Sequence, residues 1–348
     1  MNIAFFSAVR YDSVIGGRTR RLCDELSRRH SVHFVEMPSL RHPCFCRKKR
    51  ISGRLHGYRV MPMPGLWRNF DTVFGQWWTV QTANFLDRHL PSDIHAVVST
   101  PFWTPVLKKL KSRSIIYDCL DHLSVQAPGK TEAAVRLEKD LLAMADHVIC
   151  VSGNLADELK SRAAKTVVTV VSNGFPADYL SEPVTCPDHP VAGFCGAMYE
   201  WFDFPLVKEA AEALPDVHFI LTGPVRNKKE LRPLHRLANV EINPAIPFEK
   251  VKSEIMRYRV GMIPFKRDTI SYFCDPIKMY EYSALGKPVV STVRGNEDLP
   301  ISFAENDSKY ISELDRIAHT PGKQRIDRSG LGKYAWDNIA ATFERILK

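Results

Sequence analysis

The sequence predicts an α/β chain built as two doubly wound halves, and three observations carry that prediction. Its 348 residues exceed the size at which a single hydrophobic core usually stops growing, so two domains are expected. Short apolar segments rich in β-branched residues alternate with helical patterns along most of the chain, the signature of parallel strands covered on both faces. Midway, PADYLSEPVTCPDHP (176–190) carries four prolines and little periodicity, and reads as a linker.

NIAFFS (2–7) is the first expected strand, Gly16-Gly17 the turn after it, and RTRRLCDELSRR (18–29) a helix with Leu22 and Leu26 one turn apart. SVHFVEM (31–37), GYRVMPM (57–63), IHAVVST (94–100), SIIYDCL (114–120), HVICVS (147–152) and TVVTVVS (166–172) continue the strand series, with helical patterns at 131–145 and 153–163. A second series follows the linker. It predicts strands VAGFCGA (191–197), VHFILTG (217–223), VEINPAI (240–246), VGMIPF (260–265) and KPVVST (287–292), separated by helices near 203–214, 227–237, 248–257 and 277–285. Leu331, Tyr334, Ile339, Phe343 and Ile346 then line one stripe of a last helix, expected to dock on the first domain. The expected division is 1–175, a linker at 176–190, 191–330, and a terminal helix at 331–348. The strand ends of the two halves are expected to face one central cleft.

Composition places the chain in a class. With 45% hydrophobic and 25% charged residues it is an ordinary globular protein. No run of about 18 apolar residues occurs, and the first residues lack a basic segment followed by a long apolar one, so a cytoplasmic protein is expected. The eight cysteines are sparse and mostly sit in apolar runs, as free thiols do. HPCFC (His42, Cys44, Cys46) has no second Cys/His pair to complete a zinc site, so no metal is expected. Charge is one-sided. Residues 1–175 hold 25 Lys and Arg against 15 Asp and Glu, a net +10, whereas the remainder holds 23 against 24. Such a field points to an anionic partner. No helix-turn-helix, RNP or zinc-finger pattern supports nucleic acid.

DPIKMYEYSALGKPVVST (275–292) is the most specific stretch. Pro276 suits the start of a helix, whose unpaired N–H groups are a seat for a diphosphate. Lys278 adds a positive charge beside the same phosphates, and Glu281, one turn on, can accept from two ribose hydroxyls. Gly286 ends the helix and Lys287-Pro288 leads into a buried strand. With the early glycine pair, VSNGF before the linker and FILTGP, this motif resembles those of GT-B-fold glycosyltransferases, similar to the GT4-type enzymes that assemble bacterial cell-surface polysaccharides, including those of the teichuronic acid type.

The resemblance implies two Rossmann-like domains, the first binding an acceptor and the second a nucleotide-sugar donor. It implies sugar transfer without a metal, with a nucleotide sugar, expected to be UDP-linked, as co-substrate. Glu281 matches the family glutamate that holds the ribose, and the loop NPAIP (243–247) matches one that reads the base. Phe273 stands where GT4-type enzymes often have a second glutamate contacting the sugar, with Asp275 and Asp268 as neighbouring carboxylates. Sugar identity and retention or inversion therefore stay open. Gly223, Arg226 and Lys266 follow strand ends and are further donor-binding candidates, as are Gly16, Gly17 and Asp275.

In the first half, Asp118, Asp121 and His122 directly follow an apolar strand. A carboxylate there can deprotonate an acceptor hydroxyl, the step an inverting transfer requires, with Asp121 the foremost candidate base. A histidine there can hydrogen-bond the donor sugar. The basic stretch 41–54, with Arg47, Lys48, Lys49 and Arg50, precedes an aromatic one containing Trp67, Trp77 and Trp78. That combination suits an anionic membrane surface presenting a lipid-linked or glycan acceptor, and peripheral association with the inner face of the cell membrane. A solvated loop followed by a core helix is the structural alternative. Two other functions fit the fold: a nucleotide-sugar 2-epimerase, and a catalytically silent nucleotide-sugar-binding scaffold.

Overall fold

The computed structural model describes residues 1–13, 17–40, 46–65, 69–126, 131–163, 166–322 and 326–348. The chain divides into two compact units, residues 1–172 with 339–348, and residues 173–338.

Unit 1 contains β1 (Asn2–Phe6), α1 (Gly17–Ser27), β2 (Ser31–Val35), β3 (Arg47–Ser52), β4 (Leu55–Arg59), α2 (Val73–His89), β5 (Ile94–Val98), α3 (Thr104–Leu107), β6 (Ser114–Cys119), α4 (Leu123–Gln126), α5 (Thr131–Met144), β7 (His147–Cys150), α6 (Gly153–Arg162) and β8 (Val167–Val170). The described strands form one sheet in the order β3-β4-β2-β1-β5-β6-β7-β8. β1 lies between β2 and β5, with Phe5 beside both Phe34 and Val97, and is buried from Ile3 to Phe6. Burial on both faces is why such strands read as unbroken apolar runs. β3 departs from this. It pairs antiparallel with β4 at the edge and is exposed along nearly its whole length. A strand of four consecutive basic residues has no apolar periodicity, and edge charges of this kind discourage pairing with another chain.

Unit 2 contains β9 (Val191–Cys195), α7 (Phe204–Ala213), β10 (His218–Thr222), β11 (Val240–Asn243), α8 (Val251–Met256), β12 (Val260–Ile263), α9 (Thr269–Phe273), α10 (Ile277–Ala284), β13 (Val289–Ser291), β14 (Ile301–Phe303) and α11 (Asp307–His319). Its described strands are parallel, in the order β11-β10-β9-β12-β13-β14. The helix expected near 227–237 is instead two short 3₁₀ turns, Lys228–Leu231 and Leu234–Arg236. Pro233 between them lacks the N–H a continuous helix would use and its ring crowds the preceding turn.

The proline-rich segment 176–190 lies within unit 2. Tyr179 is buried in the core, and the buried Lys287 ammonium donates to the carbonyl oxygens of Thr185 at 2.9 Å, Met256 at 3.0 Å and Tyr258 at 2.7 Å. Proline composition reports the missing helix and strand but is silent about partners a hundred residues away.

The last helix, α12 (Trp336–Ile346), straddles the division. Its later part belongs to unit 1, where Phe343 is fully buried with the Arg18 guanidinium 5.5 Å from its ring centroid, and Glu344 pairs with Arg29 at 2.9 Å. Among the described residues no helix is long and apolar enough to cross a membrane.

Candidate active site

In unit 2 the strand order reverses between β9 and β12, and ligands of doubly wound sheets bind beyond the carboxyl ends at such a point. α10 begins at that end of the sheet. Pro276, with φ −65° and ψ 118°, immediately precedes its first turn, and no side chain caps the helix there. Uncapped N–H groups with the positive end of the helix dipole make an anion seat. Gly286, at φ +69°, ends the unit in the left-handed region, which suits a residue without a Cβ.

Lys278 and Glu281 form an ion pair one turn apart, with the Glu281 carboxylate almost wholly buried and Lys278 partly exposed. Both act on the Cys195 thiol at the end of β9, which burial pushes up to about 11. A Cβ added to Gly196 would lie 3.5 Å from the Lys278 Cε, so the pair stands against the turn after β9.

The neighbouring turns are tied together by their backbones. Gly196 N–H donates to Thr222 O at 2.9 Å, Gly223 N–H to Asn243 O at 3.1 Å, and Lys266 N–H to Trp201 O at 2.7 Å. Gly223 has φ +150°, and a Cβ there would lie 1.9 Å from Gly196 O, so only glycine lets the two turns meet. Lys266 is exposed at this end of the sheet. Arg226 is exposed too, paired with Glu200 at 2.5 Å and stacked 5.0 Å from the Tyr199 ring centroid. The structure thus gathers Gly223, Arg226, Lys266, Lys278 and Glu281 at one end of one sheet.

Asp275 does something other than the expected donor contact. Its carboxylate accepts from Asn173 N–H and from the Tyr280 hydroxyl, each at 2.7 Å, while Asn173 Nδ2 donates to its carbonyl at 2.6 Å. It is a buried tie between the start of unit 2 and α10. Asp268 caps α9 by accepting from Ser271 N–H at 3.0 Å. Phe273 is half-buried with its ring edge-on to Tyr272. Both nearby carboxylates therefore have structural partners.

In unit 1, Asp118 is fully buried. Arg18 reaches it with Nη2 at 3.2 Å and Nε at 3.4 Å, and Nη1 donates to Ser172 O at 2.7 Å. Burial raises the Asp118 carboxyl and Arg18 pulls it back. This is an interior ion pair, so Asp118 is corrected from a candidate catalytic group to one that holds α1 to β6. Asp121, just past β6, is exposed to solvent, yet enough protein surrounds it to push its carboxyl up to about 6. His122 is half-buried, its Nδ1 2.8 Å from the Ser124 hydroxyl and its Nε2 3.6 Å from Glu158. Glu158 also pairs with Arg162 at 3.0 Å, and Arg162 pairs with Glu138, a buried carboxylate that accepts from Tyr117 OH at 2.8 Å. Gly17 opens α1 and is exposed, while Gly16 lies outside the described residues.

Residues 16–179 match the sequence profile of Glycosyltransferase Family 4. Over 210 residues the chain is 30% identical to TuaH of Bacillus subtilis (strain 168), whose name assigns it to teichuronic acid biosynthesis as a glycosyltransferase. The match spans 54% of this chain and 53% of that protein, about half its length. The fold is GT-B. A sucrose-phosphate synthase from Thermosynechococcus elongatus superposes with a TM-score of 0.76 at 16% identity, covering 99% of this chain and 98% of that one. A trehalose-6-phosphate structure from E. coli, bound with UDP-2-fluoro glucose, gives 0.68 at 12% identity, covering 100% and 99%. A mutant of S. aureus TarM in complex with fondaparinux, alpha-GlcNAc-glycerol and UDP gives 0.63 at 12% identity, covering 78% of this chain and 59% of that one.

Within the matched residues, Arg47, Lys48, Lys49 and Arg50 all lie exposed on β3, and Lys48 Nζ donates to His89 O at 3.3 Å, at the end of α2. Trp77 is 47% exposed on α2 beside Val73, Phe74 and Val80, an apolar stripe facing solvent. Trp78 is corrected: it is fully buried and its Nε1 donates to Met61 O at 2.8 Å, because the next residue along a helix points about 100° away. Trp67, His42 and Cys44 lie outside the described residues. The sequence reading missed Arg18 and Glu158. Arg18 directly follows the glycine pair, but its partner is 100 residues away, and Glu158 sits on a helix that carries no motif.

Proposed function

We propose that the protein is a glycosyltransferase that moves a sugar from a UDP-linked donor to a lipid-linked or cell-surface glycan acceptor, without a metal. The observation that carries the reading is the buried Glu281 paired with Lys278 at the uncapped start of α10. On donor binding Glu281 accepts from the ribose hydroxyls, the first-turn N–H groups meet the diphosphate, and Lys278 turns to the phosphates. The bond between the anomeric carbon and the phosphate oxygen breaks, and the nucleoside diphosphate leaves with its charge balanced by Lys278 and Lys266. For an inverting transfer the acceptor hydroxyl attacks that carbon and gives its proton to Asp121, whose carboxyl at about 6 is ionised yet basic near neutral pH. Because Phe273 replaces a sugar-reading carboxylate, the reading assigns the nucleotide half of the donor and leaves the sugar open.

The names of similar proteins support the donor and acceptor classes: UDP-2-fluoro glucose in the E. coli structure, UDP with a glycerol-linked sugar in the S. aureus one, and teichuronic acid synthesis for the B. subtilis protein. The exposed basic β3 and the Val73, Phe74 and Trp77 stripe support attachment to the anionic inner face of the cell membrane, where a lipid-linked acceptor is presented. Thermal-shift titration against UDP-, GDP-, ADP- and dTDP-sugars tests the donor. UDP-linked ligands should raise the melting temperature most, and no shift with any of them would sink the reading.

A further inference from the structure

At the carboxyl ends of β1, β2 and β4 lies a shallow, open depression lined by Arg10, Glu36, Ser39 and Arg59 among others. Glu36 is buried at its floor. Arg59 Nε donates to the Glu36 carboxylate at 3.0 Å. Arg10 Nε approaches the same oxygen only to 3.6 Å, and this nitrogen is buried without a hydrogen-bond partner. A buried donor left unpaired costs free energy, and such groups in native proteins call for an explanation.

Two guanidinium groups on one buried carboxylate leave a surplus positive charge. The structure balances it with Asp12, a side chain 61% exposed, which lies 2.7 Å from Arg10 and 3.7 Å from Arg59. Arg47 faces Arg59 across the β3–β4 pair and adds to the positive field. The floor is therefore built and charged, whereas the counter-ion is a rim residue held largely in water, where an ion pair contributes little.

We infer that this depression is an acceptor subsite that takes an oxyanion, the carboxylate of an acidic sugar or a sugar phosphate, in the place Asp12 occupies. Arg10 and Arg59 present guanidinium N–H groups suited to planar, two-point recognition of such a group. Glu36 holds both guanidiniums in position and accepts hydroxyls of the same ligand. The word acceptor rests on the glycosyltransferase reading, but the anion preference rests on the pocket alone.

Saturation-transfer NMR with D-glucuronate, D-glucose 1-phosphate and D-glucose tests it, run with excess UDP so that the phosphate seat at α10 is filled. At least one anion should be saturated and glucose should not, and which anion responds names the source. Asp12→Asn should tighten the anion several-fold by removing its internal competitor, and Arg10→Gln should weaken it at least tenfold. Glucose binding as well as the anions, neither anion binding, or Asp12→Asn weakening the anion would overturn the inference. UDP binding is read separately in the same samples. Anion binding without UDP binding removes the donor reading and leaves the pocket; UDP binding without anion binding does the reverse.

Discussion

Glu281→Gln keeps the volume of a carboxylate that is only 3% exposed and removes its charge. In the proposed donor complex the carboxylate accepts from two ribose hydroxyls. A hydrogen bond to a charged group contributes about 1.5–3 kcal/mol net and a neutral one about 0.5–1.5, so each bond weakens by about 1–1.5 kcal/mol. Two bonds give about 2–3 kcal/mol, or roughly a 30- to 150-fold rise in Kd. A second effect opposes this for UDP. In the free protein Lys278 is tied to Glu281, and in the proposed complex it leaves Glu281 to reach the phosphates. Glutamine loosens that tie, so UDP should lose less affinity than uridine, which has no phosphate for Lys278 to meet. Isothermal titration of wild type and variant with both ligands reads the two effects, and thermal unfolding of the free proteins checks that the fold is intact. Affinities within threefold of wild type for both ligands would refute the site. A uridine loss smaller than the UDP loss would refute the proposed movement of Lys278.

Asp121 and the surface of α2 give two further predictions. If Asp121 is the base, transfer should fall about tenfold per pH unit below about 6 and level off above it, because only the ionised carboxylate accepts the proton; Asp121→Asn should abolish transfer and leave UDP binding unchanged, and a variant that turns over normally would remove Asp121 from the role. Trp78→Ala should destabilise unit 1 by about 3–5 kcal/mol in urea unfolding, because Trp78 is fully buried, whereas Trp77→Ala should barely change stability. Trp77→Ala combined with neutralising Arg47, Lys48, Lys49 and Arg50 should release the protein from anionic vesicles, and undiminished cosedimentation would end the membrane reading.

The strand series was legible because parallel strands buried on both faces spell apolar runs, as β5 and β9 do. β3 was not, since an exposed edge strand of basic residues obeys no such pattern. The candidate donor-side residues could be read together because Pro276, Lys278, Glu281 and Gly286 fall within three turns of one chain segment. The carboxylates were harder. Asp118 lies near the end of the β6 run, Asp121 just past it and Asp275 just before α10, all places where a site residue can stand, and spacing does not separate them. Asp118 and Asp275 are each engaged by a partner far along the chain: Arg18 for Asp118, 100 residues away, and Asn173 for Asp275, 102 residues away. Local sequence records which groups are present and is silent about pairing of this length.

The late return of residues 339–348 to unit 1 sets an order of events during synthesis. Unit 2 is one continuous segment, complete as soon as residue 338 has left the ribosome. Unit 1 begins to emerge first but must wait for Phe343 and Glu344, with the whole of unit 2 made in between. Until then the surface around Arg18 and Arg29 is uncovered, and a nascent chain stalled before residue 339 exposes it to chaperones and proteases. An isolated N-terminal unit made for biochemical work would carry the same gap unless the final decapeptide were joined to residue 172.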